Sequence, residues 1–144
     1  MIQHLSTLRD FTRRFQTTGE LPSLGQAKQH DAIGEGAGQQ KEQLLDLFQS
    51  VREQGLPDSG PDDWQAVRGL NGKSYEFSGN ANQGVLVENS RGKTHEQRVV
   101  YRFTPDKIES LSVLKKQDQM VVAASTIDRH TPDASFRESW ILQA

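Results

Sequence analysis

A chain of 144 residues with no cysteine, 33% hydrophobic residues and a formal charge of −2 has room for one domain and one core, with some of its length outside that core. The missing thiols exclude disulfide staples, thiolate catalysis and sulfur-ligated zinc. The charge is uneven: residues 19–65 carry three basic and nine acidic groups, whereas residues 66–144 carry eleven basic and nine acidic. With a pI near 6.1, that excess is too small for nucleic-acid binding, which calls for a pI above about 9.

Residues 1–18 are expected to form a helix, because Ile2, Leu5, Leu8, Phe11 and Phe15 recur every three or four positions. Gly19 and Pro22 close it. Arg9, Asp10, Arg13 and Arg14 interrupt the apolar run that a signal peptide needs. No stretch reaches the roughly 20 apolar residues of a membrane span. The expected location is the cytoplasm, or outside it by a route without a cleavable signal.

Residues 19–40 read as a flexible Gly-rich linker, and residues 41–144 as a helix followed by a sheet in the same single domain. Gly34-Glu35-Gly36-Ala37-Gly38 fails as a dinucleotide loop, since Gln39 stands where the third glycine belongs and no apolar strand precedes it. Leu44, Leu45, Phe48 and Val51 make the apolar face of the second helix, stopped by Gly55 and Pro57. Asp62 or Asp63 is expected to cap a short helical turn through Val67.

Gly72-Lys73-Ser74 resembles the tail of a phosphate loop. The first glycine position holds Val67, and a strand pattern follows where that loop needs a helix. Asn71-Gly72 is better read as a tight turn. Beyond Leu70 the apolar period becomes two. Tyr75 and Phe77, Val85 and Val87, then Val99, Tyr101 and Phe103 mark three strands; residues 108–114, 120–127 and 136–142 mark three more. The connections are too short for parallel crossovers. The expected fold is therefore α+β, with N-terminal amphipathic helices packed on one face of a curved, mainly antiparallel six-stranded meander. The strand at 120–127 belongs inside the sheet, and the last strand should expose a free edge.

Three functional readings follow. The first is a non-enzymatic protein-binding module of adaptor, inhibitor, chaperone or secreted-effector type. It would use a charged row on the open sheet face, Glu96, Arg98 and Arg102, together with Phe136 and Trp140 on the last strand. The second is a small-molecule carrier with an apolar pocket lined by Tyr75, Phe77, Tyr101, Phe103 and Trp140. The third is a phosphodiester hydrolase or ribonuclease, in which His95, Glu96 and His130 supply acid and base and Arg98 stabilises charge. The four histidines show no metal-ligand spacing, so neither a metal nor a cofactor is expected.

Overall fold

The computed structural model describes residues 8–20, 28–32, 37–60, 63–70, 73–80, 83–117, 119–130 and 135–143, with backbone alone at 28–32, 37–41, 68–70, 73 and 135–143. The elements in chain order are α1 (Leu8–Thr18), β1 (Lys28–Ala32), α2 (Ala37–Glu53), β2 (Gln65–Leu70), β3 (Lys73–Gly79), β4 (Gly84–Arg91), β5 (His95–Phe103), β6 (Lys107–Lys116), β7 (Gln119–Asp128) and β8 (Ser135–Gln143). The class is α+β and every strand pairing is antiparallel.

The expected meander is present as β3 to β8, and a further strand extends it at each side, giving the order β1-β8-β7-β6-β5-β4-β3-β2. Both added strands correct the sequence reading. Residues 28–32, expected within the linker, pair with β8 from Lys28 opposite Ile141 to Ala32 opposite Arg137, so the edge of β8 is not free. Their sequence, Lys-Gln-His-Asp-Ala, has no alternating apolar pattern, and the backbone ladder that pairs them with β8 admits almost any side-chain type. At residues 65–67 the expected helical turn is a strand, because Val67 lies opposite Tyr75 and is buried there. Asn71-Gly72 lies outside the described residues; the strands beside it pair with Leu70 opposite Lys73.

The two helices pack on opposite faces of the sheet, which overturns the expectation of one shared face. Leu8, Phe11 and Phe15 of α1 cluster with Val87, Val100, Leu111, Val113, Met120 and Val122. Leu44, Phe48 and Val51 of α2 cluster with Tyr75, Phe77, Leu86, Phe103, Ile108 and Ile127. On β4 to β7 these sets occupy opposite parities, and alternate residues of a strand face opposite ways. The result is a helix, a sheet and a second helix in three layers. Strand β7 is interior, as expected, and buries Met120 and Val122 on one face and Ile127 on the other.

Gly19 ends α1. It sits at φ +80, and its N–H reaches the Phe15 carbonyl at 2.8 Å. A Cβ there would collide with the Arg102 guanidinium, so the helix end lies directly against β5. Gly55 ends α2 in the same way, at φ +66 with its N–H on the Arg52 carbonyl.

Candidate functional site

The residues proposed for hydrolysis do not meet. His95 opens β5 opposite Lys116, whereas His130 follows β7 at the end where Lys107 lies opposite Asp128. From the rise per residue along β5, the two ends are about 27 Å apart. His95 is exposed, Glu96 lies 3.7 Å from Arg91, and His130 lies 3.4 Å from the exposed Asp106. The catalytic grouping of His95, Glu96, Arg98 and His130 is therefore corrected. Among the described residues no three His, Asp or Glu gather as metal ligands, and no helix is long and apolar enough to cross a membrane.

The apolar pocket is also corrected, because α2 fills it. The Phe48 ring stacks on Phe103 at 4.2 Å between centroids and leans on Phe77 at 6.1 Å. Trp140 lies opposite Val122, in the register row of Arg98 and Val113 and not that of Tyr101; its side chain, like that of Phe136, lies outside the described residues. Beside Leu44 a cavity of about 340 Å³ remains, bordered mostly by Glu88, Gln97, Tyr101, Ser110, Ser112 and Ser125. It is a polar space, not a greasy one. Tyr75 donates to Glu88 Oε1 at 2.8 Å. Burial and then the Glu88 carboxylate push the Tyr75 phenol well above the ordinary tyrosine value; burial, followed by the same charge, does so for Tyr101.

The charged row of Glu96, Arg98 and Arg102 does share a face, but it is the face that α1 covers and not the open one expected. Arg98 is 5% exposed. Its Nε donates to Thr12 Oγ1 at 3.0 Å, its Nη2 to Gln16 Oε1 at 2.9 Å and its Nη1 to Asn89 Oδ1 at 3.0 Å. These acceptors are neutral, and among the described residues no carboxylate forms an ion pair with Arg98. Burial, with the nearby Arg9 charge second, lowers its pKa from the ordinary arginine value, while Glu76 opposes the shift. Arg102 is half-buried beside Glu109 Oε1 at 3.4 Å.

Arg98 forms the floor of a groove. One cavity of about 460 Å³ is lined by Arg9, Arg13, Gln16, Thr17, Trp64, Glu76 and Arg98. A second, of about 300 Å³, shares Gln16 and Thr17 with it and continues past Ser78 and Val85 to Arg102. Together they make a trough with α1 on one side and residues 59, 60 and 64 on the other, floored by β3, β4 and β5. The helical period places Arg9 and Arg13 one turn apart on the rim.

No family model, curated protein or solved structure matches this chain.

Sequence reading selected Arg98 and Arg102 correctly as neighbours on one face, but missed Arg9, Arg13, Gln16, Trp64 and Glu76. The i, i+4 spacing of Arg9 and Arg13 was visible. What the sequence lacked was any sign that this helix lies over the polar parity of β5.

Proposed function

We propose that this chain is a non-enzymatic protein-binding module that seats an extended segment of a partner in the trough beside α1. The observation that carries this reading is the floor of the trough, where a 5%-exposed arginine is held, among the described residues, by neutral oxygens. Keeping a cation out of water costs several kcal/mol after relaxation. Three bonds to uncharged groups offset that in part, and a ligand entering the cavity can supply the rest. The shape agrees with the chemistry: two neighbouring cavities that share Gln16 and Thr17 suit a chain segment better than a compact molecule.

The expected partner surface is therefore a groove under a helix rim, in place of an open sheet face or a free edge. A photo-crosslinking amino acid at Thr17, inside the groove, should couple to a protein partner in the native cell. The same group at Arg91, an exposed position at the far end of β4, should not. Equal labelling from both positions, or none from Thr17, would end this reading.

A further inference from the structure

Resting on that groove, we propose that the segment it takes is acidic and extended, with carboxylates on alternating residues. The lining of the larger cavity has three arginines, Arg9, Arg13 and Arg98, against one carboxylate, Glu76. Among the described residues Arg9 has no ion pair, and Arg13 has only a loose one at 3.7 Å to Asp10 on its own helix. At the floor, Arg98 commits three of its five N–H groups, one from each nitrogen, so each terminal nitrogen keeps one for whatever enters. A carboxylate is the acceptor whose two oxygens match a planar guanidinium, and within a half-enclosed trough such a pair is worth more than at open surface.

An extended segment matches the spacing of the rim. Side chains at i and i+4 of a helix stand about 6 Å apart. Alternate side chains of an extended strand are separated by about 6.8 Å. A segment running along α1 in extended form can thus present one acid to Arg9 and the next to Arg13, while the following acid of the same row reaches the floor. Such a ligand also removes the mutual repulsion of Arg9 and Arg98 that depresses the Arg98 proton affinity. A nucleic-acid backbone fits less well, because domains that bind it have a pI above about 9 with Lys and Arg clustered over a face, and this chain has a pI near 6.1.

The test uses the full chain and three fluorescein-labelled decapeptides, alternating Glu-Ser, Gln-Ser and Lys-Ser, read by fluorescence anisotropy at low and high salt. The Glu-Ser peptide should bind at least about tenfold more tightly than the Gln-Ser peptide and weaken as salt rises, because the rim charges are screened. The double variant R9E/R13E changes two exposed positions; it should keep its melting temperature and lose the Glu-Ser peptide. Arg98→Met should lose it as well, whereas Arg91→Glu should not.

Equal binding of the Glu-Ser and Gln-Ser peptides overturns the acidic assignment, as does a single-stranded oligonucleotide that binds more tightly than the Glu-Ser peptide. The two levels of inference fail separately. A partner crosslinked from Thr17 while Glu-Ser peptides fail to bind removes the acidic ligand and leaves the groove. Glu-Ser binding untouched by R9E/R13E and by Arg98→Met removes the groove itself.

Discussion

Thr12→Val is the most direct probe of how Arg98 is held. Thr12 is 0% exposed, and its Oγ1 accepts from Arg98 Nε at 3.0 Å while donating back to the Leu8 carbonyl at 3.0 Å. Valine has the same shape and a similar helix propensity, so the substitution deletes the oxygen and little else. The Leu8 carbonyl keeps its place in the helical ladder. Arg98 loses its acceptor at Nε, and a buried donor left unpaired costs about 1–3 kcal/mol, more when it is charged. Against this, a methyl group replaces a hydroxyl beside Leu8 and Phe11, which returns about 0.8 kcal/mol. The net loss should be about 1–2 kcal/mol, or roughly 3–6 °C in Tm for a chain of this length. Urea denaturation should show a lower midpoint with an unchanged m value. Thr17→Val is the control: Thr17 makes the same back-bond, to the Arg13 carbonyl at 3.1 Å, but is exposed and, among the described residues, accepts no hydrogen bond from a guanidinium. That control should stay within about 0.5 kcal/mol of the parent. Equal losses from the two substitutions would refute the account of a dry, threonine-held guanidinium.

The chain has two tyrosines, Tyr75 and Tyr101, and both phenols are pushed above the ordinary value, first by burial and then by Glu88. Because the folded state keeps these protons longer than the unfolded chain, their stabilising contribution is complete below about pH 10 and declines above it, by up to about 1.4 kcal/mol per pH unit for each phenol. Absorbance at 295 nm should therefore show no tyrosine ionisation at pH 10 until the protein unfolds; a normal two-tyrosine titration with the fold intact would contradict the buried placement. On the α2 face, Phe48→Ala removes the ring stacked on Phe103 and should cost about 3–5 kcal/mol in urea denaturation. A loss below about 1 kcal/mol would mean that α2 is not seated there.

The strands were legible because their side chains alternate. Val99, Val100, Tyr101 and Phe103 announce β5 whichever helix covers each face. The pairing order followed from connection length, since links as short as that after Phe103 admit only antiparallel neighbours. The strands at 28–32 and 65–70 were not legible. One is polar as far as its last residue, Ala32, the other begins just after a turn-rich stretch, and both pair with a neighbouring strand that local sequence does not reveal.

The site was half legible for a related reason. β5 carries apolar residues on one parity, Val99, Tyr101 and Phe103, and a mixed set on the other, Glu96, Arg98, Val100 and Arg102. Alternation alone assigns the first to a helix and the second to water. The structure gives both parities a helix, and α1 accommodates the mixed one by placing Phe11 and Phe15 over Val100 while Thr12 and Gln16 meet Arg98. The polar residues within the amphipathic pattern of α1 thus have a structural partner 86 positions away in sequence for Thr12 and 82 for Gln16. Well-packed apolar residues often replace buried charges without loss of stability. An apolar residue of its size could therefore hold the layers as well, and the proposed recognition of an acidic segment gives the guanidinium at the base of the trough a use that packing alone does not.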